Sequence, residues 1–515
     1  MKKNNIAKTF STVFIITFVV KILGLLRDIV FAKFYGTGYV ATAFFTSIRI
    51  PTQLVDIVLS SAIVSIFVPV FNQILKKDGK EKANTFAGNF INIIAVISTG
   101  MAILGILFAP QIVKLLAGGF DEKTYALTVE LVKITFPMII FTSVAFSFVG
   151  FLQSYGEFNV PAMISGISNL TIMSFLIFFE EKFGIKGVTY CMTFAWLLQV
   201  LIQIPFAKKY GYRFKMQLNF KDENVKNVFK LAIPVIISTA VLPINSLVST
   251  RLASGMGESA CAALEYAYKL YLVISGVFTY AIGNIIFPEL SRASMEEEKF
   301  VAIIHKAIKM LSFLLIPLTL GIIIYRTDII ATIYQRGEFD QNSTIITASA
   351  LLFYSIGIIG SGIVEIMNKA FYAKQDTKSP LKIGIAVIFI NLFLSILLGK
   401  CMSFNGLALA TSISAIINAV ILITVASKKQ KTLINKELII NILKMFASAI
   451  LMGIVVYFTD AVLKNILTGS FIKNIIRMVI GAGVGFVFYY ILTIKLDVNE
   501  LKIFKFKKGE TSEED

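Results

Sequence analysis

Apolar stretches of 18 or more residues recur along almost all of this 515-residue chain, and no other property restricts its fold so severely. A run of that length matches the roughly 20 residues a helix needs to cross a bilayer. Lipid offers no partner to a free backbone N–H or C=O, so each run must close its own hydrogen bonds as a helix. A membrane barrel would instead show short segments of strict alternation, a pattern missing from this sequence. The mean hydropathy of +0.79 agrees with lipid as the principal solvent.

The runs predict an all-α polytopic membrane protein of about fourteen transmembrane helices, over roughly 9–34, 40–74, 84–113, 124–152, 158–180, 186–207, 227–252, 257–289, 300–325, 342–373, 379–399, 404–427, 437–462 and 471–494. Several exceed the length of one span and are expected to tilt, bend or project. The eleven prolines, Pro51, Pro137, Pro234, Pro243 and Pro317 among them, lie in or beside these runs and are candidate bends. The basic start, Met1–Lys8, leads into a run that continues through Lys21 and Arg27 with no small-residue cleavage site, so a retained first helix is expected.

A formal net charge of +18 would point to nucleic acid in a soluble protein. Here the basic residues gather in alternate short loops, such as Lys76–Lys82, Lys208–Lys226, Lys374–Lys382 and Lys428–Lys431. That is the positive-inside pattern, and it predicts an inner/plasma membrane protein with both termini in the cytoplasm. No nucleic-acid partner is expected. His305 is the only histidine and is expected to be solvated, while Cys191, Cys261 and Cys401 stand far apart, so no metal is expected.

An internal repeat organises the chain. Gly36 and Gly38 match Gly255 and Gly257, Pro69 matches Pro288, Gly118–Asp121 matches Gly337–Asp340, Pro161 matches Pro380 and Gly187 matches Gly406, always 219 residues apart. The expected domains are two six-helix lobes, 1–215 and 220–428, then two additional helices within 437–495 and a cytoplasmic tail, 496–515. An even helix number gives both lobes one topology, related by an axis along the membrane normal, with a site expected between them.

Charges inside the spans are the candidate functional residues, because each costs at least about 2.5–3.5 kcal/mol at mid-bilayer without a partner or a wet cavity. Helix 1 carries Lys21, Arg27 and Asp28, and helix 2 carries Arg49 and Asp56. Glu265–Lys269 in helix 8 and Glu365–Lys369 in helix 10 have the spacing of helical ion pairs. Cations in this setting suit an anionic head group, since guanidinium grips phosphate with two hydrogen bonds. Glu130–Lys133 reads as a solvated pair, and Arg477 as a residue that snorkels to water, with little expected from Arg477→Ala. Asn245, Asn391 and Thr411 are candidates for a cation site, with polar packing as the competing role. No Walker motif, Gly-x-Ser-x-Gly or His-Glu-x-x-His occurs, so no cofactor or enzymatic chemistry is expected. The energy source is then a coupling ion, Na+ or H+, or the membrane potential.

The stretch KILGLLRDIVFAKFYGTG (Lys21–Gly38), with Ala43-Phe44-Phe45 and Phe67-Val68-Pro69, resembles the MurJ (MviN) lipid II flippase family of the MATE-like multidrug/oligosaccharidyl-lipid/polysaccharide exporter superfamily. LASG (Leu252–Gly255), SGVFTYAIGNIIFPELS (Ser275–Ser291), YQRGEFD (Tyr334–Asp340) and FYAKQDTKSPLKI (Phe371–Ile383) extend the resemblance into the second lobe. The resemblance implies transfer of lipid II, or a related undecaprenyl-diphosphate glycolipid, between leaflets by alternating access. It implies that Lys21, Arg27 and Lys269 bind the diphosphate, that Asp28 orients Arg27, and that helices 13 and 14 form a groove for the polyprenyl tail. It also implies membrane lipids and other cell-wall synthesis proteins as partners.

The chain departs from the family at three places. Val55, followed by Asp56, stands where a helix 2 arginine is usual; Ser60-Ser61 replaces a Glu-Gly; and Tyr268-Lys269 replaces an acid followed by arginine. Glu365 and Lys369 are the charges available to compensate. The competing readings are a flippase for another polyprenyl-linked polysaccharide precursor and a cation-coupled multidrug exporter. A polyprenyl-phosphate glycosyltransferase would need a large acidic outer loop, and the predicted outer loops are short.

Overall fold

The computed structural model describes residues 3–56, 66–429, 433–467 and 471–498, and these form helices with no strand among them. The first four predicted spans correspond to α1 (Lys3–Tyr35), α2 (Tyr39–Val55) with α3 (Val68–Asp78), α4 (Lys80–Leu107) with α5 (Ala109–Ala117), and α6 (Glu122–Thr135) with α7 (Met138–Ser154). Then come α8 (Asn159–Phe178), α9 (Glu180–Lys209), α10 (Glu223–Thr239) with α11 (Val241–Ala253), and α12 (Ala260–Arg292). The remainder is α13 (Glu297–Tyr334), α14 (Gln341–Ser355) with α15 (Ile358–Ala373), α16 (Lys378–Met402), α17 (Phe404–Lys429), α18 (Lys436–Ile466) and α19 (Phe471–Lys495). Ser60-Ser61, Lys431 and residues 499–515 of the predicted tail lie outside the described residues.

Eight of these helices, α4, α8, α9, α13, α16, α17, α18 and α19, are long and apolar enough to cross a membrane, and the bent pairs α6/α7 and α14/α15 bring the number to ten. The predicted helices outside that set, among the described residues, are 1, 2, 7 and 8. The chain is thus a multi-pass helical membrane protein. Its lipid-facing character is visible on α16 and α18, where Phe389, Phe393, Leu443 and Ile450 are all more than half exposed. In water such surfaces would drive aggregation, whereas acyl chains cover them without cost.

Packing divides the chain into two compact units, Met1–Ala262 with Arg336–Asp340, and Ala263–Gln335 with Gln341–Asp515. In the first, rings of Phe67, Phe71, Phe90, Phe136 and Phe151 fill a core between α3, α4 and α7. In the second, Phe313, Tyr325, Met445, Met452 and Tyr489 bind α13 to the α18–α19 hairpin.

The register of 219 residues recurs in the contacts. The α6/α7 bend of 41° follows Thr135, and the α14/α15 bend of 43° follows Ser355. A bend frees backbone carbonyls, which a hydroxyl from a neighbouring helix can satisfy. Thr193 of α9 donates to the Ile134 carbonyl at 2.9 Å, and Ser412 of α17, its equivalent, donates to the Phe353 carbonyl at 2.6 Å.

The first unit carries a second reciprocal pair. Gly36, at φ +52°, lies against the Glu338 carbonyl, and the Glu338 N–H donates to the Lys33 carbonyl at 2.9 Å. In the matching contact Gly119 lies against Gly255, and its N–H donates to Ser254 Oγ at 3.1 Å. Between these crossings the Tyr39 N–H donates to Glu258 Oε1 at 3.0 Å, a bond between two equivalent positions. Beside the Gly119 crossing, Asp121 caps α6, and the Thr124 hydroxyl at 2.5 Å holds its carboxyl below the usual carboxylate range. A methyl on Gly119 would fall 2.7 Å from Gly255 Cα, where backbone cannot yield cheaply. Gly119→Ala is therefore expected to destabilise the fold by about 1–3 kcal/mol. The unfolding midpoint of the detergent-purified protein checks this, and an unchanged midpoint would mean the two loops part freely.

Candidate functional site

A polar arrangement in the first unit lies in the C-terminal third of α1. Arg27 is half-buried and Asp28 is 6% exposed. The Arg27 guanidinium donates through Nη2 and Nε to Asp28 Oδ1 at 2.7 and 3.1 Å, and through Nη1 to Asn169 Oδ1 of α8 at 3.0 Å. Asn169 is anchored in turn, its Nδ2 donating to the Val20 carbonyl at 3.4 Å. Gly24 leaves the space for that amide, since a methyl there would lie 3.3 Å from Asn169 Nδ2. One carboxylate and one amide therefore fix the planar cation. A fixed guanidinium loses little freedom when it receives a phosphate. Lys21, two turns earlier, is exposed. Asp28, seven residues on, is buried, so the two charges of α1 meet different surroundings.

Arg49 of α2 donates to Thr250 Oγ1 of α11 at 3.1 Å, and the Thr250 hydroxyl donates in turn to the Ser246 carbonyl at 3.0 Å. Asp56 ends α2 at the border of the described residues. Val55, at the position where an arginine is usual, is 1% exposed among Ile50, Phe67 and other core residues, so packing occupies that place here.

In the second unit both predicted helical pairs form. Lys269 lies 3.6 Å from Glu265, and Lys369 lies 3.4 Å from Glu365. Lys369 also reaches α12, with its stem at Gly283 and its ammonium 5.6 Å from the Phe287 ring. Tyr268, beside Lys269, belongs to a ring cluster with Tyr271 and Tyr354, and the Tyr271 and Ser361 hydroxyls share a hydrogen bond of 2.5 Å. An apolar cavity of about 620 Å³ opens between α13, α18 and α19, lined by Leu314, Pro317, Ile322, Met452, Val456 and Phe486.

Of the candidate cation ligands, Asn391 donates to Ser414 Oγ at 3.2 Å and Thr411 to the Leu407 carbonyl at 3.0 Å. At Asn245 the backbone carbonyl accepts from Ser249 at 2.9 Å. His305 shares a 2.8 Å hydrogen bond with the Leu433 carbonyl.

Two sequence expectations need correction. Glu130 forms its ion pair with Lys186 of α9 at 2.5 Å rather than with Lys133, because α6 packs against α9 on that side. Arg477 does not snorkel. It is 3% exposed, paired with Asp328 of α13 and 3.5 Å from Asp460 of α18. Two acids near the ends of neighbouring helices supply the counter-charge that water was expected to provide. Sequence reasoning also missed Asn169 and Thr250. Their only signal is a polar side chain within an apolar run, which many packing residues share.

Paired charges inside bent, lipid-embedded helices, arranged on a duplicated plan, define a multi-pass membrane transporter. The profile described as lipid II flippase MurJ matches residues 31–477. This chain belongs to the MurJ lipid II flippase family. It is 26% identical over 513 residues to a probable lipid II flippase MurJ of Buchnera aphidicola subsp. Baizongia pistaciae, covering 98% of this chain and 100% of that one. The lipid II flippase MurJ of Burkholderia cenocepacia is 26% identical over 428 residues, 81% of this chain and 83% of its own. A solved lipid II flippase MurJ in an inward closed conformation superposes with a TM-score of 0.80 at 28% identity, covering 94% of this chain and 99% of that one. An inward-facing MATE-family multidrug resistance transporter shares the fold, with a TM-score of 0.68 at 14% identity over 81% of this chain and 98% of its own.

Proposed function

We infer that this chain moves lipid II from the inner to the outer leaflet by alternating access. The observation that carries this reading is the family match over residues 31–477, which takes in most of the first repeat and all of the second. The chemistry of the site supports it. Lipid II presents a diphosphate, a sugar–peptide head and a long polyprenyl tail. Arg27, held by Asp28 and Asn169, offers the diphosphate a preorganised fork, and Lys21, Arg49 and Lys269 add positive charge. Asp56, Glu265, Glu365 and Lys369 tune that field as secondary charges. The cavity between α13, α18 and α19 offers an apolar wall to the tail. Moving the head group requires no bond to be made or broken, so the residues bind and release rather than catalyse.

The positive-inside loops support both termini in the cytoplasm of a bacterial inner membrane. With no Walker motif in the sequence, membrane potential acting on the anionic head group is the proposed driving force, worth about 2.3 kcal/mol per charge per 100 mV. A coupling ion is the other candidate, at Asn245, Asn391 and Thr411; the bonds Asn391 and Thr411 make use donor hydrogens and leave their oxygens to ligate. The repeat supports two six-helix lobes, 1–215 and 220–428, as the moving parts, with the 437–495 hairpin serving the tail.

The test is complementation of cells depleted of their own lipid II flippase. The expected result is that lipid II becomes cleavable by an enzyme added outside the cells. Good expression with lipid II still protected would reassign the chain to another polyprenyl-linked glycan.

A further inference from the structure

The connection between α9 and α10 is not absorbed by the transport reading. From Tyr212 to Phe220 it alternates strictly, with Tyr212, Phe214, Met216, Leu218 and Phe220 separated by Arg213, Lys215, Gln217 and Asn219. Period-two alternation in an extended segment sends the two sets to opposite sides. Three asparagines of α4 hold its backbone. Asn84 Nδ2 donates to the Tyr210 carbonyl at 3.2 Å, and Asn92 Nδ2 to the carbonyls of Lys215 and Gln217 at 2.7 and 3.1 Å. Asn89 and Asn219 exchange two bonds of 3.0 and 2.7 Å. Tyr212 is buried against Phe148 and Phe151, whereas Phe214 and Met216 stand 72% and 90% exposed.

The outer face of α4 gives the level of this segment. Thr85, Asn92, Val96, Ile103 and Leu107 follow one another at helical spacing, and Val96 is the first of them to expose apolar surface, at 48%. Four residues of helix rise about 6 Å, so the segment hanging on Asn92 lies within roughly one turn of the lipid-facing surface. At the end of α9, exposed Phe206 gives way to exposed Lys208 and Lys209, marking the same boundary. Between the segment and the head of α4 opens a cavity of about 460 Å³, lined by Lys80, Glu81, Asn84, Thr85, Arg213, Lys215 and Gln217. Lys80, Arg213 and Lys215 are exposed, and among the described residues none has a carboxylate at ion-pair distance.

We propose that this segment and the head of α4 form a binding site for an anionic phospholipid at the membrane surface where α9 ends. Phe214 and Met216 enter the acyl boundary, as the apolar face of an interfacial segment does. The phosphodiester of the head group occupies the cavity, bound by Lys80, Arg213 and Lys215, with the Gln217 amide as a neutral donor. Charge complementarity favours a lipid over a protein partner, because anionic leaflets attract polybasic segments and apolar side chains beside the cations need an acyl phase. The site is separate from the translocation residues, and positive-inside orientation makes its leaflet the inner one.

The test uses the full-length Cys401→Ser chain with Met216→Cys carrying an environment-sensitive fluorophore, since Cys191 and Cys261 are buried. It is placed in phosphatidylcholine vesicles with and without phosphatidylglycerol, some containing lipid with a quencher near the head of the acyl chain. The expected result is blue-shifted, quenched emission that strengthens with phosphatidylglycerol. The Arg213→Gln/Lys215→Gln variant should weaken phosphatidylglycerol retention, read by native mass spectrometry, roughly 30-fold. Water-like emission without quenching would overturn the proposal. So would equal quenching in both vesicles with retention unaffected by the double variant, which would leave an apolar contact without a head-group site. Full displacement by inorganic phosphate would make this a free-anion site. Emission that shifts only in native membranes containing other proteins would assign the face to a protein.

Discussion

Arg27→Ala is expected to lower lipid II translocation by roughly 10-fold to 100-fold, the equivalent of one charge-assisted contact to a phosphate. The variant removes the guanidinium and takes from Asp28 and Asn169 the cation that joins them. Arg27→Lys keeps the charge and loses the fork, so an intermediate rate is expected. Asn169→Ala keeps the arginine and removes one of its two anchors, so it should weaken translocation less than Arg27→Ala. Measured against the amount of protein inserted in the membrane, this order separates binding from folding. Wild-type translocation by Arg27→Ala would remove the cationic site from the mechanism.

The second large effect is expected on stability. Arg477→Ala should destabilise the fold by about 3–5 kcal/mol, because it strips a partner from buried Asp460 and from half-buried Asp328. The Asp460 side chain is only 9% exposed and keeps Lys464 at 3.0 Å, whereas the Asp328 side chain is 26% exposed. Arg477→Lys should recover part of the loss, and Asp328→Asn combined with Arg477→Met should cost less than Arg477→Ala alone. Thermal unfolding in detergent reads all three. Translocation per folded molecule should fall less than with Arg27→Ala, since this cluster supports the α13–α18–α19 wall of the tail cavity and the diphosphate residues lie elsewhere in the chain. An unaltered midpoint for Arg477→Ala would mean that water reaches the cluster.

These two residues illustrate what could be read before any coordinates. The helices were legible because lipid forces every apolar run to satisfy its own backbone. The bend after Thr135 was legible through Pro137, while the matching bend after Ser355 has only Gly357 to mark it and emerges through the repeat. Arg27 stood out as a charge in an apolar run with an acid beside it. Asn169 did not, because it is 142 positions away and an amide inside a span is ordinary packing material. Arg477 was misread for a related reason. Its distance from a helix end is local information, whereas its burial is set by Asp328 and Asp460 on two other helices. Local periodicity predicts which face a charge occupies, and only packing decides what meets it there.

The crossed loops near Gly36 and Gly119 carry a consequence for ancestry. Each repeat completes the other's turn: 35–38 rests on 337–340, and 254–257 rests on 118–121. A single ancestral unit with such a loop could have satisfied it only on a second copy of itself. Contacts that map onto themselves under exchange of the copies are those of an isologous dimer. Tyr39 and Glu258, one ancestral position seen twice, mark where the dyad of that dimer passed. In the present chain one copy of that position supplies a backbone donor and the other the carboxylate that accepts from it.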